Sequence, residues 1–266
     1  MIDNFCFKTD FFFLKEGGMV SDFEEYILVQ TPDNPTFYFG NYLLLKNAPK
    51  SDQRLHLEKQ FDENFADSKE TQHYNFCWTD LSKEDYSEFT KAGYKYEVCL
   101  SLVAYKDDLI VPKRLNEEVE IRAFESKSDW EKWLELEISE REPGSTEDGF
   151  TVYIERKMAK YLKMHEKGKG NFYGAFINDE LLASAGMYFE DRVGRFQTVV
   201  TRTKHRRKGI CTTLIYTMMK KYFQSLDYLV IVAVEGYHAL DIYKNLGFKE
   251  KDYQVSLCLA DRNTKL

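Results

Sequence analysis

With 266 residues, 43% of them hydrophobic and 15% aromatic, the chain is long enough for one large domain or two small ones and apolar enough to bury a core, which excludes a disordered polypeptide. Its formal net charge of −7 argues against a general nucleic-acid binder, although a local basic run still suits one anionic ligand. Five cysteines, Cys6, Cys77, Cys99, Cys211 and Cys258, are scattered without paired spacing, as expected of free thiols in a reducing cytoplasm. Acidic residues come early, no small-residue cleavage site follows Phe11-Phe12-Phe13-Leu14, and no apolar stretch reaches the roughly 20 residues that span a bilayer. A soluble cytoplasmic protein with no membrane partner is expected.

In chain order, Tyr26 to Gln30 and Thr36 to Lys46 are aliphatic and aromatic strand patterns around the turn composition Thr31-Pro32-Asp33-Asn34-Pro35, and read as a hairpin. Ser51 to Asn64 has helical spacing at Leu55, Leu57 and Phe61, and a strand follows from Tyr74 to Trp78. Ser82 is the expected N-cap of a helix reaching Lys91, with Gly93 just past its end, and Tyr96 to Ala104 alternates as a further strand. The charged stretch from Tyr105 to Asn116, with Pro112, is the best boundary candidate, dividing a domain at 1–110 from one at 118–266.

Beyond it, Glu120 to Phe124 reads as a strand, Ser128 as the cap of a helix carrying Trp130, Trp133 and Leu134, and Tyr153 to His165 as a second helix. Phe172 to Ile177, Leu181 to Phe189 and Phe196 to Thr201, joined by turns at Asn178-Asp179 and Asp191 to Gly194, form an antiparallel meander. Ile210, Leu214, Met218 and Tyr222 then mark a helix, and Tyr228 to Val234 is apolar enough for a strand buried on both faces. Strand, two helices, three strands, helix, strand, helix, strand is the order of a mixed α/β sheet.

The meander runs into Arg202 to Lys208, a loop with five Arg or Lys residues, and then into Gly209 and the helix. A helix start leaves backbone N–H groups unpaired and carries the positive end of the macrodipole, so the stretch reads as a cradle for phosphates. Gly209 lets the backbone approach the anion.

Arg206-Arg207-Lys208-Gly209-Ile210-Cys211 resembles the Arg/Gln-x-x-Gly-x-Gly/Ala acetyl-CoA loop of the GNAT superfamily of N-acetyltransferases, with Cys211 in the last small-residue place. Ala239-Leu240-Asp241-Ile242-Tyr243-Lys244-Asn245-Leu246-Gly247-Phe248 resembles the second signature of that family, Ala-x-x-x-Tyr-x-x-x-Gly-Phe. The resemblance implies a GNAT fold, α/β of the mixed α+β kind, with a central, mostly antiparallel twisted sheet flanked by helices. An internal echo, Phe89-Thr90-Lys91-Ala92-Gly93-Tyr94 against Tyr243-Lys244-Asn245-Leu246-Gly247-Phe248, marks the first half as a degenerate GNAT-like copy, as in tandem GNAT proteins. That half has neither the loop nor the hydroxyl, and is expected to bind no cofactor.

The activity implied is direct transfer of an acetyl group from acetyl-CoA to a primary amine on a small-molecule or peptide acceptor. Edge backbone groups of Val199, Val200 and Thr201 would pair with the pantetheine arm. The loop and helix start at Arg206, Arg207, Lys208, Gly209, Ile210, Cys211 and Thr212 would hold the pyrophosphate. Tyr243 is the implied general acid, against an aromatic core position. Glu235, at the end of the apolar strand, is the candidate base, against an exposed carboxylate without a role; Gln197 stands where many relatives carry an acid, and Gly236 where they carry asparagine. Cys211 fills a small-residue slot, against a nucleophilic thiol at a helix start. His56, His73, His165, His205 and His238 show no ligand spacing, so no metal is expected, and neither a nucleophile elbow nor a P-loop is present. Two other readings stay open, a non-catalytic acetyl-CoA sensor or interaction protein and an aminoacyl transferase of the tandem GNAT type. A homodimer is also left open.

Overall fold

The computed structural model describes residues 3–82, 84–141 and 146–263. In chain order the elements are α1 (Phe5–Leu14), β1 (Met19–Asp22), β2 (Tyr26–Gln30), β3 (Tyr42–Leu45), α2 (Arg54–Asn64), β4 (Tyr74–Trp78), α3 (Ser87–Lys91), β5 (Lys95–Tyr105), β6 (Glu120–Ala123) and α4 (Lys127–Ser139). They continue with α5 (Glu147–Glu166), β7 (Gly170–Ile177), β8 (Glu180–Glu190), β9 (Val193–Thr201), α6 (Ile210–Tyr222), β10 (Tyr228–Val234), α7 (Leu240–Asn245) and β11 (Lys249–Leu259). The chain divides into two compact units, residues 1–101 with 252–266, and residues 102–251. The stretch expected to link two domains, 111–117, lies within the second unit, while most of the last strand belongs to the first.

In the first unit β1 to β3 are an antiparallel meander, β3 runs parallel to β4, and β4 pairs antiparallel with β11 from Val255↔Trp78 to Leu259↔Tyr74. The hairpin expected at residues 26–46 is present, with a one-turn 3-10 helix at Tyr38–Gly40 in its connection. α1 was not legible as a helix: Asn4 caps it by accepting from Cys6 N (3.0 Å), and Asp252 accepts from Phe5 N (2.8 Å). Ser82 does not cap a helix either; its hydroxyl meets the Tyr86 hydroxyl at 2.8 Å, and α3 begins only at Ser87. The core is aromatic, with Phe61 stacked on Phe65 (4.2 Å) and Phe76 on Tyr94 (5.9 Å). Burial of each such ring stabilises the unit by about 1.5–3 kcal/mol.

The internal echo is a shared turn. Tyr94 N donates to Phe89 O (3.0 Å) and Gly93 N to Thr90 O (3.0 Å); Phe248 N donates to Tyr243 O (3.1 Å) and Gly247 N to Lys244 O (3.0 Å). Both glycines have positive φ, 90° and 105°, which L side chains rarely adopt. In each turn the two aromatic rings meet steeply, at 88° for Phe89 and Tyr94 and 67° for Tyr243 and Phe248.

The second unit carries β6, β7, β8 and β9 as antiparallel neighbours and β10 parallel to β9. Asn178 and Asp179, with φ of 46° and 66°, form the two-residue turn between β7 and β8 that their sequence indicates. Ser126, not Ser128, caps α4 in a box with Asp129. Helices cover both faces: Phe172 meets Trp133 of α4 (5.0 Å) and Tyr161 of α5 (5.1 Å), while the neighbouring Tyr173 meets Tyr222 of α6 (5.9 Å). Burial on β10 is confined to Leu229, Val230 and Ile231, so the strand is not enclosed along its whole length.

Candidate active site

Parallel pairing of β9 with β10 covers only Val193↔Tyr228, Gly194↔Leu229 and Arg195↔Val230. Beyond it β9 runs on to Thr201 and β10 to Val234 without pairing to each other. The strands therefore part, leaving the backbone edge of Phe196 to Thr201 open on the β10 side. Val199, Val200 and Thr201 are half-buried along it. On its other side β9 stays paired with β8, but Ser184 faces Val200 while Gly186 faces Gln197, so Thr198 and Val199 together oppose Ala185. This β-bulge holds Thr198 at φ 45° and takes backbone groups out of the ladder at the opening.

The basic loop leads from that edge into α6. Arg207 (φ 59°) and Gly209 (φ 77°) are both left-handed, and Gly209 is the N-cap, without a side chain to cap the helix. The first helical bond is Thr213 N to Gly209 O (2.9 Å), and none of the N–H groups from Arg207 to Thr212 meets an acceptor among the described residues. Six consecutive donors at the positive end of a helix are a fit for a diphosphate. Arg206, Arg207, Lys208 and Gly209 are exposed, Ile210 is buried as an anchor, and Cys211 and Thr212 are half-buried.

The cations have different tasks. Arg206 Nε donates to Thr201 O (3.1 Å), and its guanidinium lies 3.4 Å from Glu140, so Arg206 braces the loop against the end of α4. Glu140 also accepts from Thr203 N at 3.0 Å. Arg207 and Lys208 are left as the exposed charges. Asn116 was not singled out in the sequence: its N donates to Thr213 Oγ1 (2.8 Å) and its Nδ2 to Lys208 O (2.9 Å), fixing the loop from beneath. Only its place in a charged linker marked it, and that is no signal.

Tyr243 is 3% exposed, and its hydroxyl has no hydrogen-bond partner among the described residues. Burial, with Cys211 and Tyr237 nearby, pushes its ionisation well above the usual phenol range, so it keeps its proton. The Cys211 thiol is itself pushed up to about 12 by burial, opposed by a hydrogen bond with Thr201. Such a thiol is not ionised near neutrality, which favours the small-residue reading of Cys211 over a covalent route. Glu235 is exposed just beyond β10 and has no partner among the described residues. Gln197 accepts a hydrogen bond from the Tyr161 hydroxyl (3.3 Å), which also lies 3.2 Å from Thr198 Oγ1 at the bulge. No group of three or more His, Cys, Asp or Glu side chains among the described residues is placed to hold a metal ion.

An open strand edge ending at an uncapped, glycine-led helix start is set in a mixed α/β sheet flanked by helices. Residues 130–248 match the Acetyltransferase (GNAT) family, and the second unit carries a domain of that family. No protein of curated function matches the chain. Among solved structures, a conserved protein of unknown function from Staphylococcus epidermidis is similar over 92% of this chain and 95% of its own, at 14% identity and a TM-score of 0.72. A GCN5-related N-acetyltransferase from Kribbella flavida is similar over 97% and 94%, at 15% identity and a TM-score of 0.64. A tandem GNAT protein from the clavulanic acid biosynthesis pathway is similar over 84% and 74%, at 11% identity and a TM-score of 0.55. At these identities the likeness is one of fold.

Proposed function

We propose that the protein is an acetyl-CoA-dependent N-acetyltransferase that passes the acetyl group directly to a primary amine of a small molecule or peptide. The observation that carries this reading is the row of unbonded N–H groups from Arg207 to Thr212, set at the end of the strand edge that β10 leaves open. Acetyl-CoA, when bound, supplies the activated acyl group. This chain's residues then have separable tasks: the N–H row takes the diphosphate, Arg207 and Lys208 add charge, and Val199 to Thr201 align the pantetheine amides as an added strand would be aligned. Tyr243 presents its hydroxyl to the departing sulfur. All five cysteines are free, and no helix among the described residues is long and apolar enough to cross a membrane, which supports placing the protein in the cytoplasm. The test is calorimetry with acetyl-CoA and CoA, then thiol release against polyamines, amino acids, aminoglycosides and peptide N-termini. No heat with either nucleotide ends the reading.

A second reading, a non-catalytic acetyl-CoA sensor, is favoured by one feature: beside the bulge stands the amide Gln197, which accepts no proton, and Glu235 is out in solvent. Thermal stabilisation by CoA with no turnover of any amine would select it.

A further inference from the structure

The open question on the acetyltransferase reading is what takes the proton of the incoming ammonium, since Gln197 is an amide and Glu235 stands exposed beyond β10. The helices over the bulge hold an acid of a different kind. On α4, Trp130, Trp133, Leu136 and Glu137 share the buried face, and Glu137 is 7% exposed. Its Oε1 is sealed from solvent without a hydrogen-bond partner among the described residues. A buried carboxyl oxygen left unpaired costs about 1–3 kcal/mol, more when charged, and such an oxygen in a native fold marks strain, a working role or a bound water or ion.

Its surroundings lie at the opening. Trp133, one turn before Glu137, packs on Tyr161 of α5 (6.1 Å), whose hydroxyl touches Gln197 and Thr198 at the bulge. Just past Glu137, Ser139 meets Arg202 (3.4 Å) and Glu140 meets Thr203 (3.0 Å), which places the last turn of α4 over the end of β9. From the sheet, strand alternation puts Ser184 on the face that carries Phe172, Gly186 and Tyr188, the face covered by α4 and α5. Ser184 is fully buried, and its Oγ is likewise without a partner among the described residues. Both oxygens lie on the side of the sheet that α4 and α5 cover, and both can accept from an ammonium. Trp133 Nε1, one turn before Glu137, is a third group there unpaired among the described residues, and can donate to a nitrogen lone pair once the amine is deprotonated.

We propose that Glu137, with Ser184, receives the acceptor's primary ammonium and takes its proton, so that Glu137 is a catalytic residue of the transfer. This rests on the acetyltransferase reading. The ammonium N–H bond breaks to the Glu137 carboxylate, the freed nitrogen lone pair forms the bond to the acetyl carbon, and the carbon–sulfur bond breaks to leave a thiolate. The second nitrogen proton goes to that thiolate and the Glu137 proton to water, giving amide, CoA thiol and one proton.

The ionisable groups around Glu137 are Lys157 and the tyrosines of α5 and β8. Burial pushes Glu137 up to about 8, against the lowering pull of Lys157, a value suited to exchanging a proton with an amine near neutrality. Lys157 of α5 holds its own proton: burial opposes its charge, but the Tyr153 and Tyr161 rings and Glu137 outweigh that. Burial raises Tyr161 of α5 and Tyr188 of β8, so neither competes as a base.

The test uses the full chain with ¹³C at glutamate Cδ, titrated with n-butylammonium chloride and in parallel with tetramethylammonium chloride, with and without CoA. The Glu137 resonance is the one missing from Glu137→Gln. A shift with butylammonium only, lost in Ser184→Ala, is the expected result. No shift, or equal shifts with both salts, overturns the proposal even where CoA binding is intact. Absent CoA heat instead falls on the acetyltransferase reading, since the amine response is read without nucleotide as well. In turnover with any accepted amine, Glu137→Gln should lower kcat/KM at least 100-fold and remove a limb rising towards pH 8, while Glu137→Asp retains the limb; a Gln variant with an unchanged pH profile refutes the role.

Discussion

Replacing Tyr243 by phenylalanine separates packing from chemistry. The ring is 3% exposed and meets Phe248 at 6.2 Å, while the hydroxyl has no hydrogen-bond partner among the described residues. Removing it leaves nothing unsatisfied behind, so stability should change by no more than about 0.5 kcal/mol. Turnover is another matter. An alkyl thiol ionises near 8.5 and a phenol near 10, and burial raises Tyr243 further, so full proton transfer to a thiolate runs uphill by more than ~2 kcal/mol. On the proposed function the hydroxyl would act by donating a charge-assisted hydrogen bond to the sulfur as it departs, worth about 1.5–3 kcal/mol, and Tyr243→Phe should lower kcat by about 10- to 150-fold. The same elevation means that Tyr243 puts no alkaline limb on the rate up to about pH 9. The assay is thiol release beside calorimetric acetyl-CoA binding, which should be unchanged. A variant with undiminished kcat, or one whose loss is wholly a weaker Kd, refutes the argument.

Gly209→Ala should weaken acetyl-CoA about tenfold by calorimetry: an added Cβ finds open space, its nearest neighbour being Asn116 N at 3.9 Å, but a left-handed φ of 77° costs an L residue about 1–2 kcal/mol. Gly247→Ala should cost at least 2–3 kcal/mol in urea unfolding, because φ is 105° and the Cβ would collide with the Asp108 carbonyl; an unchanged midpoint would contradict it. Asp129 gives the acid limb of stability: burial raises it, but hydrogen bonds from Arg122 (2.7 and 3.0 Å), Glu125 N and Ser126 more than reverse this and hold it well below the usual carboxylate range. With its folded pKa depressed, its contribution is complete above about pH 4 and is lost as pH falls through the lower folded value; Asp129→Asn should cost about 2–3 kcal/mol at neutral pH and flatten that dependence in acid melts.

What could be read from the sequence is what depends on neighbours along the chain. The glycine loop, the apolar repeat of four through Ile210 and Tyr222, and the Asn178-Asp179 turn each follow from local spacing or a positive φ. α1 was missed because Phe5–Leu14 is apolar in several directions and shows no single stripe. β1 was missed because all four of its residues are exposed. Ser126 and Ser128 are equivalent as letters, and only the contact of Asp129 with Arg122 selects the first. No local pattern could announce that Val255 faces Trp78, which draws most of β11 into the first unit. Glu137 lies in Leu134-Glu135-Leu136-Glu137, where the two acids look equally solvated; burial alone distinguishes them.

The repeated turn bears on the choice between Tyr243 as a core aromatic and Tyr243 as a working group. Phe89 occupies the corresponding place in the first unit, fully buried, with the same backbone bonds to the following glycine turn and the same steep ring contact. A phenyl ring is therefore sufficient for the packing and for the turn. The hydroxyl at Tyr243 adds nothing to either, since it has no bonding partner among the described residues, and its desolvation is a standing cost. In the same unit as that hydroxyl stand the parted strands and the unbonded N–H row, whereas the loop motif is missing from the first half. Packing explains the ring in both units and leaves the oxygen of one without a packing role, which is the ground for testing it by Tyr243→Phe.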